Sequence, residues 1–266
     1  MKGISAKGQE PGVRDLRAVV LAAGKGTRMK SQLPKVLHPL LGRPMVEYVI
    51  DACRGAGVDT IYLVVGYGAD MVRRALGGDL IYVTQQPQLG TGHALMQVAP
   101  LLADFRGDLL VVVGDSPLIT AELLRRLWQA HRAAGAAATF LSAVFDAPPP
   151  YGRVLRDQEG RVLRIVEEAD APPEVAKIRE VITSHYCFRA EVVLPLLPKI
   201  DNRNAKQEYY LTDIVGILRA EGHKVEAMPV EDNRLVWAVN TQEELAQAER
   251  LLREMQPLHP ARTGIA

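Results

Sequence analysis

Short, largely apolar runs alternate along the chain with stretches in which apolar residues return every three or four positions. The runs at 18–23, 60–65, 80–84, 109–113 and 137–144 have the length and β-branched content of buried strands. Between the first two, Met45, Val46, Val49, Ile50 and Cys53 recur at helical spacing, which predicts a helix over 44–56 closed near Gly57. Further helices are expected over 69–76, over 120–134 on Leu123, Leu124 and Leu127, over 214–220, and over 242–255. Strands over 161–168, 225–230 and 235–239, and one carrying Cys187, complete the pattern. A strand–helix rhythm of this kind predicts an α/β fold, a Rossmann-like and mostly parallel sheet flanked by helices. In such sheets ligands bind outside the carboxyl ends of the strands. Pro148, Pro149 and Pro150 cannot sit inside a sheet and mark a seam between two halves of one unit.

Composition narrows the class without naming it. Of 266 residues, 48% are hydrophobic and 24% charged, with mean hydropathy near zero. Net charge is +1, from 32 basic and 31 acidic residues. That balance gives no broad basic surface for nucleic acid, so any anion site must be local. Cys53 and Cys187 are expected as buried, reduced thiols. No apolar run is long enough to span a bilayer, and residues 1–16 lack the apolar core of a signal peptide. A flexible leader, a cytoplasmic placement and no membrane partner are the expectations.

The chemistry concentrates after the first strand, in LAAGKGTRMKSQLPK from Leu21 to Lys35. Gly24 and Gly26 let the backbone turn sharply and approach a ligand closely, and consecutive amides in such a turn form an anion nest. Arg28 and Lys35 add two cations just beyond it, so the stretch suits a polyphosphate. It lacks the third glycine of the dinucleotide fingerprint G-x-G-x-x-G. The string L-A-A-G-x-G-T-R-M followed by L-P-K resembles the signature loop of the sugar nucleotidyltransferases. The continuation VLHPLLGRPMVEYVID is similar to the bacterial N-acetylglucosamine-1-phosphate uridyltransferases.

Later stretches carry the resemblance further, each beside a plainer reading. Gln85 and Gln88 are amides able to donate and accept on one base edge, or simply part of a polar loop with glycine hinges at Gly90 and Gly92. His93, at a helix start, reads as scaffold rather than catalyst. Asp115, after the apolar run at 109–113, suits a hard cation or caps the helix that begins near Thr120. Gly152 is a turn glycine or offers its N–H to a sugar hydroxyl, and Glu167 is a surface acid or a hydroxyl acceptor. Thr212 or Asp213, and Asn240 or Thr241, read equally well as helix N-caps.

The resemblance implies a nucleotidyltransferase type A fold and assigns roles to these positions. It places Ala23, Gly24, Gly26 and Thr27 on the nucleotide and gives Gln85, Gln88, Gly90 and Thr91 the uracil. Arg28, Lys35 and Asp115 become the catalytic set, and Asp115 and Asn240 the ligands of Mg2+. Gly152, Glu167, Ile182, Tyr210 and Thr212 fall at the sugar phosphate. The organisation it implies is a nucleotide-binding half over 17–145, a sugar-binding half over 146–240, a closing helix over 241–256 and a tail over 257–266. UTP and a hexose or hexosamine 1-phosphate are the expected partners.

One position departs from the family. N-acetylglucosamine 1-phosphate uridyltransferases carry Asn-Thr-Gly where this chain reads Ile182-Thr183-Ser184. Ile182 cannot hydrogen-bond, and the related glucose-1-phosphate thymidylyltransferases tolerate an apolar residue there. Glucose 1-phosphate with UTP or dTTP is therefore an alternative pair, and a catalytically silent nucleotide-binding module is an alternative of another class. A cytidylyltransferase or molybdenum-cofactor guanylyltransferase fits the 85–94 and 207–213 stretches poorly. No hexapeptide repeat is present, so the acetyltransferase activity of the family's two-domain members is not expected.

Overall fold

In the computed structural model, which describes residues 15–255, the apolar runs become strands of one twisted sheet. The chain forms β1 (Leu16–Ala22), a small hairpin of β2 (Pro39–Leu40) and β3 (Arg43–Pro44), α1 (Met45–Gly55), β4 (Thr60–Val65), α2 (Ala69–Leu76) and β5 (Ile81–Thr84). It continues through α3 (Thr91–Val98), β6 (Asp108–Val113), α4 (Ala121–Ala134), β7 (Ala138–Val144), β8 (Arg153–Arg156), β9 (Val162–Val166) and the short α5 (Pro173–Ala176). The last elements are β10 (Glu180–Arg189), α6 (Ala190–Val193), α7 (Asp213–Ala220), β11 (Val225–Pro229) and α8 (Gln242–Glu254).

The sheet runs β11-β7-β10-β6-β1-β4-β5, and only β10 runs against its neighbours on that path. β8 branches from β10, with β9 antiparallel beside it. Helices cover both faces, as two-sided apolar strands require. Val19, Val64, Val111 and Phe140 face the side packed by α3 and α7. Val20, Leu63, Leu110 and Leu141 face the side packed by α1 and α4, where Cys53 is also buried. Both cysteines are buried and unpaired, and burial pushes the Cys53 thiol up to about 12. A third apolar cluster seats α8, through Leu245, Ala248 and Leu252, against Met29 of the loop after β1.

Two expected strands change. The stretch 235–239 adds nothing to the sheet. Asp232 accepts the Arg234 N–H at 3.0 Å and starts a 3₁₀ turn over Asn233–Val236. The Val239 N–H then goes to Asp115 O at 2.8 Å, across the end of β6. The strand expected over 161–168 stops at Val166, because Glu167 leads directly into a 3₁₀ turn over Glu168–Asp170. The leader expected over 1–16 is shorter by at least Leu16, which already pairs with Asp108 in the sheet. Residues 1–14 and the tail over 257–266 lie outside the described residues. Across the proline seam the sheet is continuous, since β7 and β10 pair along most of their length. Among the described residues no helix is long and apolar enough to cross a membrane.

Candidate functional site

Parallel strands β1 and β6 end side by side, which brings the loop after β1 to the loop after β6. Gly26 takes φ 60°, and a Cβ there would lie 2.6 Å from Lys35 Cβ, so only glycine lets the two ends of this loop close on each other. A 3₁₀ turn over Thr27–Met29 follows. Met29, fully buried, anchors it and leaves Arg28 exposed beside it. Gly24 differs from Gly26: a Cβ there would meet nothing within 4 Å, so its backbone is open to whatever approaches.

Lys35 forms an ion pair with Asp115 Oδ2, with both side chains mostly buried at 14% and 18% exposure. Its Nζ also donates to Asn240 Oδ1 at 3.2 Å, and Arg28 donates to the same oxygen at 2.9 Å. Two cations, one carboxylate and one amide thus meet at one point. The plainer readings of Asp115 and Asn240 as helix caps are removed here. Thr120, not Asp115, caps α4 through the Leu123 N–H. Thr241, not Asn240, caps α8 in a capping box with Glu244.

Glu244 does more than complete that box. Its Oε2 also accepts the Asn240 N–H at 2.5 Å, and Asn240 Nδ2 donates to Ala238 O at 3.1 Å. The amide is therefore held with Oδ1 toward Lys35 and Arg28. Tyr151, whose hydroxyl accepts the Ala238 N–H at 3.4 Å, ties this loop to the start of the β8 hairpin. Asp115 Oδ1 is buried and has no hydrogen-bond partner among the described residues. A buried carboxylate oxygen without a partner beside an oriented amide oxygen is a donor set that fits a hard divalent cation. No cluster of three or more His, Cys, Asp or Glu side chains suited to a metal occurs among the described residues, so the remaining ligands would have to come from substrate or water.

A cleft of about 550 Å³ opens beside this network. Ala23, Gly24, Lys35, Gln85, Gln88, Gly90, Thr91 and Asp115 all line it, eight of the positions picked from sequence. Lys25 and Glu208 line it as well, although neither was singled out. The loop entering α3 is held by the stretch before α7. Gly90 adopts φ 106°, and a Cβ there would sit 2.7 Å from Tyr209 O. The Gly92 N–H donates to that oxygen at 2.7 Å, and Thr91 Oγ1 accepts the Leu211 N–H at 3.0 Å.

Gly152, Glu167, Ile182, Tyr210 and Thr212 form a second group, outside the walls of that cleft. A Cβ on Gly152 would lie 2.7 Å from Ile165 Cγ2, 3.1 Å from Ile182 Cγ2 and 3.4 Å from Glu167 Oε1. Thr212 donates its hydroxyl to Glu167 Oε1 at 2.7 Å instead of capping α7. Ile182 is 2% exposed and belongs to the core. Ser184 holds φ 58° within a register break of β10, a left-handed conformation that costs a non-glycine residue strain. Burial holds the Glu167 carboxyl above its ordinary range. Burial, with Glu167 nearby, raises Asp213 to about 6. The Tyr210 phenol is pushed up to about 12 by burial and by the surrounding acids.

The β-sheet order, the cationic loop at the carboxyl ends of its parallel strands and the carboxylate–amide pair define an α/β protein of the nucleotidyltransferase fold. A Bacillus anthracis structure assigned as a glucose-1-phosphate thymidylyltransferase superposes with a TM-score of 0.75 at 19% identity, covering 94% of this chain and 98% of that one. The chain belongs to the MobA-like NTP transferase domain family, whose model matches residues 18–193. It is 50% identical over 239 residues to the bifunctional protein GlmU of Pelotomaculum thermopropionicum, 90% of this chain and 52% of that protein. The GlmU proteins of Geobacillus thermodenitrificans and Pelobacter propionicus are each 46% identical, over 89% and 91% of this chain and 52% and 53% of theirs. The chain spans about half the length of these relatives.

Proposed function

We propose that this chain transfers a uridylyl group from UTP to N-acetylglucosamine 1-phosphate, releasing pyrophosphate. The meeting of Lys35, Arg28, Asp115 and Asn240 beside the cleft carries the reading, because it concentrates two cations and two hard oxygen donors of the kind a polyphosphate and its metal need. A sugar phosphate is itself the nucleophile, so the protein needs no general base. Its task is to hold two anions together in line and neutralise the charge that moves to the leaving group. In this reading Arg28 and the amides of 24–27 take the β- and γ-phosphates, and Lys35 takes the α-phosphate. Gln85, Gln88, Gly90 and Thr91 hold the uracil, and Gly152, Glu167, Tyr210 and Thr212 hold the sugar phosphate.

Asp115 and Asn240 would hold Mg2+, which would supply Lewis acidity and positive charge beside the phosphates. Residues 17–145 then serve the nucleotide and 146–240 the sugar, with 241–256 closing the unit through the Glu244–Asn240 contact. The test is pyrophosphate release from UTP or dTTP, each with N-acetylglucosamine 1-phosphate or glucose 1-phosphate, with and without chelator. A nucleotide-binding module without catalysis would bind UTP and release no pyrophosphate from any pair. A second reading, glucose 1-phosphate as acceptor, is favoured by one observation: Ile182 is buried and apolar where a hydrogen-bonding side chain would meet an acetamido group.

A further inference from the structure

His93 is half-buried at the start of α3, and both of its ring nitrogens meet amide groups. Gln85 Nε2 lies 3.1 Å from Nδ1, and Gln97 Nε2 lies 3.1 Å from the ring Nε2. A neutral imidazole has one donor and one acceptor nitrogen, so it cannot accept from both amides, and a protonated ring could accept from neither. One of the two amides must therefore turn its oxygen to the ring.

Burial decides which. Gln85 is 3% exposed, and its Nε2 also donates to Gly90 O at 2.9 Å. Turning Gln85 over would set two oxygens 2.9 Å apart with little water to relieve them. Gln97 Nε2 likewise donates to the His93 carbonyl, but at a longer 3.2 Å and from a side chain that is only partly buried. Gln97 can therefore give up that bond, present its oxygen to the ring and leave its NH2 to solvent. His93 therefore carries its proton on Nε2 and accepts from Gln85 at Nδ1. Both Gln85 amide hydrogens are then engaged inside the protein, one by Gly90 O and one by His93. The side-chain function it keeps for the cleft it lines is the carbonyl oxygen, an acceptor.

We infer that His93 is a positioning residue for base choice: with Gly90 O it locks the Gln85 amide so that the cleft offers an acceptor and takes a pyrimidine whose ring nitrogen donates an N–H. Uracil supplies that donor at N3. Cytosine presents a lone pair at the same atom and is repelled. The inference rests on the uridylyl-transfer reading and adds to it which atom discriminates the base and which residue holds that atom in place.

The experiment compares kcat/KM for UTP and CTP, with N-acetylglucosamine 1-phosphate, in the wild type, His93→Leu and His93→Asn. Calorimetric binding of both nucleotides in the presence of Mg2+ accompanies the rates. Leucine removes the acceptor, while the asparagine Oδ1 falls where Nδ1 stood. The UTP-to-CTP ratio should fall about tenfold or more in His93→Leu, the size of one hydrogen bond to a buried group, and should recover in His93→Asn. A merely structural role would lower both nucleotides together and leave the ratio alone, and that result overturns the inference. A wild type that uses both nucleotides equally also overturns it while leaving nucleotidyl transfer intact. A wild type that binds neither nucleotide overturns both readings.

Discussion

The two halves of the candidate site handle charge in opposite ways. Around Lys35, opposite charges sit within hydrogen-bonding reach of each other and of the cleft, so the network is compensated yet ready to exchange partners with an incoming anion. Around Glu167, the neighbouring carboxyls are Asp170, Glu208 and Asp213, and burial pushes Glu167 and Asp213 toward the neutral form. Lys206 acts on Glu167 as a countercharge. The first region suits recognition of phosphate charge, and the second, where carboxyls and a threonine hydroxyl lie together, suits the hydroxyl groups of a sugar. The contrast teaches that net charge, +1 here, says nothing about where charge acts.

The sharpest way to break this comparison is to discharge the first region. Asp115→Ala should lower the rate of pyrophosphate release on the order of 10²–10³-fold, with far-UV circular dichroism unchanged. A rate near wild type would remove Asp115 from the chemistry. Next in size is a pair of glycine substitutions within the same cleft. Gly90→Ala must push against Tyr209 O and hold φ 106°, so it should destabilise the fold by about 2 kcal/mol or more in urea unfolding. Gly24→Ala meets no atom and should leave the unfolding midpoint alone while weakening UTP binding. Equal unfolding midpoints for the two variants would contradict the difference drawn between these loops.

In the second region, Ile182→Asn should raise the preference for N-acetylglucosamine 1-phosphate over glucose 1-phosphate by about tenfold in kcat/KM. The same change should lower stability, since Ile182 is a core residue. An unchanged sugar preference would take Ile182 out of specificity. A separate effect is on pH. Asp213 titrates near 6 in the folded chain, above its unfolded value of 3.8. The contribution favouring the folded state is thus fully present below about pH 4 and is lost as pH rises through about 6. Asp213→Asn should flatten that fall, so its melting temperature should gain on the wild type at pH 7.5 relative to pH 4.5. Parallel melting curves across that range would count against the raised Asp213.

Much of this architecture is legible in the chain. The runs that became β1, β4, β6 and β7 are apolar at successive positions because both faces of a parallel strand are covered. α1 and α4 show their buried stripe as plainly. The stretch 235–239 misleads because Val236 is buried against the face of the sheet that α1 and α4 also cover, and Val239 against α8, without either pairing as a strand, and periodicity cannot tell these apart. In the site, Gly24 is recognisable by residue type and spacing, whereas Gln85, Gly90, Thr91 and Asp115 stand out only through the family resemblance, and the cleft does gather them. His93 and the second contact of Glu244 act by orienting other side chains, and Tyr151 by holding the backbone of a distant loop, which leaves little mark on local sequence. Only the three-residue spacing from Thr241 to Glu244 hinted at the last of them.

By itself, then, the sequence determined most of the strands and helices, where glycine must interrupt them, and which stretch is built like a phosphate-binding loop. These are properties of neighbours in the chain, set by periodicity and by backbone sterics. Tertiary structure decided which of those stretches meet. Asn240 lies 205 residues from Lys35 and 212 from Arg28, yet all three converge because α8 packs on Met29 and Val239 bonds to the end of β6. Contacts of that reach depend on strand order and on where a crossing chain finds its hydrogen bonds, and no local pattern encodes either.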